Sequence, residues 1–203
     1  FWVPFIGIAL GTILRLFRFK NNTDLLALCD NVIPHEKRFG DRLLTRYFLK
    51  SNHRFLVMSR SVGNDISNFI KNPKVDYHPH PVYDHFGYLI NKSQAINILS
   101  LDISKKYLLF FGFIRKYKGL DLLLNALPNF PENVELIVAG EFYDYMHEYK
   151  VLVSKLGIEN KVHFFSDFIP ENKVNLFFSA CDLVVQPYKS ATQSGVAQIA
   201  YHF

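Results

Sequence analysis

The sequence predicts an α/β fold with doubly wound parallel sheets in two domains, both incomplete in this chain. From Asn91 onward, apolar runs of strand length alternate with segments of helical apolar spacing, and two of these runs end directly at Gly112 and Gly140. Such alternation implies right-handed crossovers and a parallel sheet covered by helices on both faces. We therefore expect the loops at Gly112, Gly140, Ser166 and Pro187 to converge at the carboxyl edge of that sheet.

Length and composition describe a folded, moderately basic protein. The chain has 203 residues, 49% hydrophobic and 20% charged, which allows a substantial core and excludes a disordered protein. The formal net charge is +5, but the basic residues are spread along the chain without a nucleic-acid-binding motif, so no nucleic acid is expected as a partner. An anionic ligand or a membrane surface explains the excess more simply.

The cysteines indicate the cellular location of the protein, and the chain ends indicate whether the sequence is a fragment. Cys29 and Cys181 each lie in or beside an apolar run, which favours small buried thiols and a cytoplasmic location. The chain begins with Phe1 rather than Met and ends at Phe203 within a helical pattern. We expect it to be an internal fragment of a longer protein.

The first part of the chain carries the pattern of one incomplete domain. The uncharged run Phe1–Leu14 is shorter than the roughly 18 residues that span a bilayer, so it predicts a buried or interfacial helix. The patterns that follow predict strands at Thr23–Cys29 and Arg54–Met58, a loop at Asp30–Gly40, and helices at Asp41–Ser51 and from about Ser59 to Lys71.

Residues 75–87 have the composition of a linker. They contain Pro79, Pro81 and Gly87 together with three histidines, whose spacings of two and five match no standard zinc pattern. We therefore expect residues 1–88 to be the end of one domain plus a linker, and residues 89–203 to be the start of a second domain. We expect the histidines to bind no metal.

The second domain shows the regular alternation. Its apolar runs predict strands at Tyr107–Phe111, Val134–Ala139, Val162–Phe165 and Leu183–Gln186. Its helical patterns predict helices at Asn91–Leu99, 119–127, Tyr145–Leu156, Glu171–Ala180 and from about Thr192.

The stretch Tyr107–Ala126 is the best functional clue. It joins a buried strand, the Gly112 turn, a basic loop and a helix start, the geometry that presents backbone N–H groups to an anion. Arg115, Lys116 and Lys118 add positive charge there, which fits a phosphate-bearing ligand. A solvated basic loop without a ligand explains the three charges equally well.

Several segments together resemble one enzyme family. FFGFIRKYKGLDLLLNA, VELIVAGEFYD and KVHFFSDFIPENKVNLFFSACDLVVQPY, preceded by CDNVIPHE and FLVMSRSV, resemble in order and spacing the retaining glycosyltransferases of the GT-B fold, family 4. The likeness covers nearly the whole chain and implies two Rossmann-like domains, an acceptor-side domain followed by a donor domain. It implies transfer of a hexose from a nucleotide diphosphate sugar to a glycan or lipid-linked acceptor, without a cofactor.

The resemblance also implies the site. Donor-binding residues would be Gly112, Arg115, Lys118, Glu141, Phe168, Thr192, Gln193, Ser194 and Gly195, and the candidate catalytic residue is His35. Glu141 is equally suited to capping the next helix, and His35 to a structural role in its loop.

Two departures from the family pattern concern the donor. Many members have an arginine directly after the first glycine, whereas here Phe113 follows Gly112 and the arginine is Arg115. Many also carry two glutamates where this chain has Thr192 and Ala200. The second departure removes carboxylates that would contact the donor, so it puts the identity of the donor in doubt more than the reaction class.

Two other functions stay open. A sugar-nucleotide epimerase of the same fold would need acid and base carboxylates, which are sparse in these loops, and a non-catalytic nucleotide-sugar-binding fragment would need none.

The aromatic and basic amino-terminal segment, with Arg15, Arg18 and Lys20 and with Arg38 from the next loop, fits peripheral attachment to the inner face of a membrane. A buried helix of the acceptor domain fits it as well.

Overall fold

A computed structural model of the chain describes residues 4–21, 23–34, 39–143 and 145–203. These residues form two compact units, each with one parallel β-sheet. One unit runs to Pro81 and takes in Ala191–Gln193, and the other comprises Val82–Ser190 and Ser194–Phe203. The predicted class, α/β with parallel sheets, is therefore confirmed.

The first unit is a small sheet with helices between its strands. Its strands pair in the order β1-β2-β3, all parallel. Buried residues of the core include Cys29, Phe55, Val57, Val62 and Ile66. The elements are α1 (Pro4–Asn21), β1 (Leu26–Cys29), α2 (Asp41–Leu49), β2 (Arg54–Val57), α3 (Arg60–Ser67) and β3 (Val75–Tyr77).

Strand β3 lies in the segment that the sequence predicted to be a linker, and that part of the prediction is wrong. The backbone N–H of Phe55 donates to Lys74 O (2.9 Å), and that of His78 donates to Val57 O (2.9 Å). Buried backbone groups of β2 require such partners, so the extended segment pairs with it despite its prolines. A strand of three residues is too short to show an apolar period.

Helix α1 is longer than the predicted apolar run. Arg15 turns back onto α2, with its guanidinium 4.0 Å from the ring centroid of Tyr47 and its Nη2 donating to Tyr47 O (3.2 Å). Leu16 and Phe17 are 65% and 53% exposed. None of the described helices is long and apolar enough to cross a membrane. Arg38 lies outside the described residues, and peripheral attachment stays a prediction.

The second unit carries a four-stranded parallel sheet in the order β6-β5-β4-β7. The last helix begins three residues later than predicted, and the last strand ends two residues earlier. The elements are α4 (Lys92–Ile98), β4 (Lys106–Phe111), α5 (Leu120–Ala126), β5 (Val134–Ala139), α6 (Met146–Leu156), β6 (Val162–Phe165), α7 (Glu171–Ala180), β7 (Leu183–Val184) and α8 (Gly195–His202).

The central strand β4 is buried on both faces, which explains its uninterrupted apolar sequence. Leu108 and Phe110 belong to one hydrophobic cluster, and Tyr107, Leu109 and Phe111 belong to the cluster on the opposite face. A strand that faces helices on both sides has no solvent-facing positions, so it shows no alternation of apolar and polar residues.

The boundary between the units lies at Pro81 rather than at residue 88. The aromatic side chains of Tyr83 and Phe86 pack against the hydrophobic cluster of the second unit, and so does Ile90. These contacts assign residues 82–88 to the second unit, although their proline and glycine content is typical of a linker.

The two cysteines are free thiols, as expected from their apolar surroundings. Cys29 is buried in the first unit and Cys181 is half-buried in the second. Burial is the main cause that raises the pKa of each thiol to about 11. Both thiols are therefore protonated at neutral pH and pack as small apolar side chains.

Candidate functional site

The strand order of the second unit reverses beside β4. Strands β5 and β6 follow on one side of β4, and β7 pairs with its other side. The loops after β4 and β7 belong to this reversal, where open α/β sheets form a ligand crevice at the carboxyl ends of the strands. The two loops touch, since Lys189 N–H donates to Tyr117 O (2.8 Å).

Two glycine turns close on each other at this edge. Gly112 ends β4 with φ +90°, and Gly140 ends β5 with φ +136°. A Cβ added to Gly140 would lie 2.3 Å from Gly112 O, and the Gly140 N–H donates to Phe165 O at 2.9 Å. The turns at Gly112 and Gly140 and the end of β6 therefore meet, which confirms the predicted convergence of these loops.

Lys118 is the buried cation of this edge. It is only 8% exposed, and its Nζ lies 3.4 Å from the position of a Cβ added to Gly112. Burial, and secondly the charge of Arg115, lower its pKa to about 8. Within the described ranges no carboxylate lies within 4.0 Å of its Nζ. A buried ammonium with no counter-charge is a candidate site for an anion.

The other two basic residues of the loop have different surroundings. Arg115 is half-buried, and its guanidinium carbon lies 4.3 Å from the ring centroid of Tyr143. Lys116 is exposed, with its Nζ 3.5 Å from a Glu148 carboxylate oxygen. The interpretation of a solvated basic loop therefore describes Lys116 but not Lys118.

The loop after β7 supplies a tyrosine and the start of α8. The Tyr188 ring lies 5.9 Å from Lys118 Nζ, and its hydroxyl is 3.3 Å from Ser194 Oγ. Burial raises the pKa of Tyr188, so the hydroxyl stays neutral at physiological pH. Ser194 Oγ also accepts from Ala197 N–H (3.3 Å) and caps α8, which starts at Gly195.

Two further predicted residues lie at the ends of β5 and β6. Glu141 is exposed, and α6 begins after Tyr145 without a side-chain cap, so the alternative in which Glu141 caps this helix is wrong. Phe168 follows β6 and is 66% exposed, whereas Phe164 and Phe165 pack against the core. The role of Phe168 in donor binding stays a prediction.

The remaining predicted residues lie in other parts of the chain. Thr192 and Gln193 belong to the first unit, where Thr192 Oγ1 donates to Asn31 Oδ1 and Gln193 Nε2 donates to Asp30 Oδ1 (3.4 Å). His35 lies outside the described residues. The donor and catalytic roles of all three stay predictions.

The sequence predictions gave no role to Tyr143 or Tyr188, both of which face the basic residues of the loop. A signal for Tyr143 was present: it stands three residues after Gly140, as Arg115 stands three residues after Gly112. Equal distances from the ends of two paired parallel strands place residues side by side. Tyr188 directly follows Pro187, one of the positions predicted to converge.

A known protein family matches the part of the chain that holds this edge. Residues 91–196 match the family described as "Glycosyl transferases group 1". The lipopolysaccharide glucosyltransferase WaaG of Escherichia coli is 36% identical over 74 residues, covering 34% of this chain and 18% of WaaG. The uncharacterized glycosyltransferase MJ1607 of Methanocaldococcus jannaschii is 25% identical over 143 residues, covering 65% of this chain and 35% of that protein.

Solved structures share the fold. The crystal structure of Anabaena HepE in complex with UDP-glucose superposes with a TM-score of 0.73 at 16% identity, covering 93% of this chain and 54% of HepE. The chain thus spans about half of this structure and about a third or less of the two curated relatives.

Proposed function

The chain belongs to the glycosyl transferases group 1 family, and from this we propose that it is the central part of a retaining, family 4 hexosyltransferase. The proposed donor is a nucleotide diphosphate sugar, and the proposed acceptor is a glycan or a lipid-linked sugar. The proposed place of action is the cytoplasm, with the acceptor at the inner face of a membrane. The fold of the chain supports the proposal because open parallel α/β sheets bind ligands at the carboxyl ends of their strands, where the strand order reverses.

One observation carries the proposal: Lys118 is a buried ammonium at the strand-order reversal, and among the described residues no carboxylate lies within 4.0 Å of its Nζ. Holding a lysine there opposes folding, as its lowered pKa of about 8 reflects. A diphosphate placed against Lys118 and Arg115 supplies the missing negative charge. Arginine can grip two phosphate oxygens at once, and lysine adds a point charge.

The same two cations suit the reaction. Cleavage of the bond between a sugar and a diphosphate builds negative charge on the leaving phosphate and positive charge on the sugar. Cations held beside the leaving group stabilise that charge in the transition state. Lys118 is the more buried of the two, and its Nζ lies 3.4 Å from the position of a Cβ added to Gly112.

Relatives and neighbours support a nucleotide sugar as the donor class. WaaG is a glucosyltransferase, and the HepE structure contains UDP-glucose. Thr192 and Ala200 stand at the positions of the family's two glutamates, so a panel of donors is used to identify the nucleotide and the hexose.

The proposal is tested by incubating the intact protein with UDP-, GDP- and ADP-hexoses, with and without a lipid-linked glycan, and measuring nucleotide release. We expect release from one donor class to rise with acceptor, and to persist in EDTA because Lys118 and Arg115 supply the charge at the phosphates. Conversion of the donor sugar to an epimer without acceptor would instead assign the chain to an epimerase.

Removing the Arg115 guanidinium should weaken diphosphate binding. We expect Arg115→Ala to lower the affinity for UDP by roughly 1.5–3 kcal/mol, the scale of a charged hydrogen bond, in isothermal titration calorimetry. Lys116→Ala is the matched control, because Lys116 is exposed and paired with Glu148. An unchanged affinity of Arg115→Ala, or an equal loss in Lys116→Ala, would contradict the assignment of this loop to phosphate.

A further inference from the structure

The loops that follow β4 and β5 are held together beyond the ends of the strands. Ile114 and Phe142 form an isolated parallel bridge, in which Ile114 N–H donates to Glu141 O (2.8 Å) and Tyr143 N–H donates to Ile114 O (3.1 Å). Ile114 is fully buried, and the Phe142 ring packs against the rings of Tyr149 and Phe164. Both loops are therefore anchored on the core at matching positions.

This bridge decides which side chains meet on the outer side. Successive side chains of an extended segment alternate between its two faces. Because Ile114 and Phe142 point into the core, Phe113 and Arg115 point outward on one loop and Tyr143 on the other. The distances agree: the Tyr143 ring centroid lies 4.3 Å from the Arg115 guanidinium carbon and 5.0 Å from the Phe113 ring centroid, edge to face.

The electrostatic surroundings of Arg115 explain why a contact with the Tyr143 ring would stabilise its position. Its charge and that of Lys118 repel each other, which is one of the two causes of the lowered Lys118 pKa. In the described part of the chain no carboxylate lies within 4.0 Å of the guanidinium. Without another contact, repulsion and side-chain entropy would favour conformations directed into solvent.

We propose that Tyr143 is a positioning residue for Arg115, whose ring holds the guanidinium ready for the diphosphate of the donor. The ring face attracts a cation and leaves the edge N–H groups of the guanidinium free to donate. In this chain the arginine stands three residues after Gly112 rather than directly after it, and Tyr143 stands at the same distance from Gly140. This inference rests on the proposed function.

The expected effect is on diphosphate affinity. Ordering a side chain before binding reduces the entropy lost on binding, and a cation–π contact stabilises the ordered position. We therefore expect Tyr143→Leu to weaken UDP binding about five- to tenfold, and Tyr143→Phe, which keeps the ring, to change it less than about twofold. Tyr145→Leu is the matched control, because Tyr145 is 80% exposed in the same loop.

A double-mutant cycle separates positioning from direct contact with the ligand. If Tyr143 acts through Arg115, then Tyr143→Leu weakens UDP binding in the parent protein but has no further effect when combined with Arg115→Ala. An equal loss in both backgrounds, or a loss in Tyr143→Phe as large as in Tyr143→Leu, would overturn the proposed role.

A second measurement does not need a nucleotide. The Arg115 Nε–H resonance, assigned by its loss in Arg115→Lys, should be shifted upfield by the ring of Tyr143 in the free protein. We expect Tyr143→Leu to abolish this shift and Tyr143→Phe to keep it. If the parent protein lacks the upfield shift, the inference about Tyr143 is overturned and the proposed function is not. If the upfield shift is present but no nucleoside diphosphate binds, the proposed function is overturned, and with it the role of the ring in donor binding.

Discussion

Gly140→Ala should strongly lower the free energy of unfolding of the protein. Gly140 has φ +136°, a conformation closed to residues with a Cβ, and the added carbon would lie 2.3 Å from the carbonyl oxygen of Gly112. The obstacle is backbone at the end of a buried strand, so it cannot turn away. We expect a loss of at least about 3 kcal/mol in the free energy of unfolding.

Gly157→Ala is the matched control for this prediction. Gly157 ends α6 with φ +65°, but a Cβ there would meet nothing within 4 Å. The substitution therefore carries only the intrinsic penalty of a left-handed residue, about 1 kcal/mol. Urea denaturation of the two variants measures the difference. Equal losses would mean that the contact between the two glycine turns does not restrict position 140.

Lys118→Met should stabilise the protein while weakening its binding of diphosphates. Methionine fills similar space without a charge, so the unfavourable burial of an ammonium disappears. At pH 7 we expect the free energy of unfolding to rise by roughly 2–3 kcal/mol, and the affinity for UDP to fall about ten- to hundredfold. Such opposite effects on stability and binding are typical of residues held for function.

The pH dependence of the stability gain has a defined sign. The Lys118 pKa is about 8 in the folded protein, below the value of about 10.4 that unfolded lysine has. Between these two values the unfolded state binds more protons, so the stability of the parent protein rises with pH across this window. The advantage of Lys118→Met should therefore be complete below pH 8 and shrink toward pH 10.

Chemical denaturation at pH 7 and at pH 10, with Lys155→Met as the control for an exposed lysine, tests this expectation. A Lys118→Met variant that is less stable than the parent at pH 7 would mean that the ammonium contributes to folding. The burial of an unpaired charge would then not describe the site.

Strand β4 could be predicted because a strand buried on both faces has a continuous apolar sequence. The turn could be predicted because the run ends at Gly112, and glycine readily adopts the φ of +90° found there. The basic loop could also be predicted, because Arg115, Lys116 and Lys118 follow that turn within six residues in the sequence. The sequence could not separate their roles. Only the tertiary structure shows that Lys118 is buried whereas Lys116 is exposed.

The misses have physical causes as well. Strand β3 is held by backbone hydrogen bonds to β2, which leave no trace in side-chain periodicity. The unit boundary was placed too late because Tyr83 and Phe86 pack on the core while prolines and a glycine surround them. Tyr143 was missed although its spacing from Gly140 equals that of Arg115 from Gly112, because the two residues are 28 positions apart in sequence and meet through the pairing of their loops.

The contact between the two glycine turns also limits how this protein can change over generations. When two side chains collide, a smaller residue at one position can rescue a larger one at the other. Here a side chain at position 140 would collide with the carbonyl oxygen of residue 112, an atom that every amino acid possesses. No second substitution at 112 removes it, so a lineage that loses Gly140 can recover only by reversion or by rebuilding the loop.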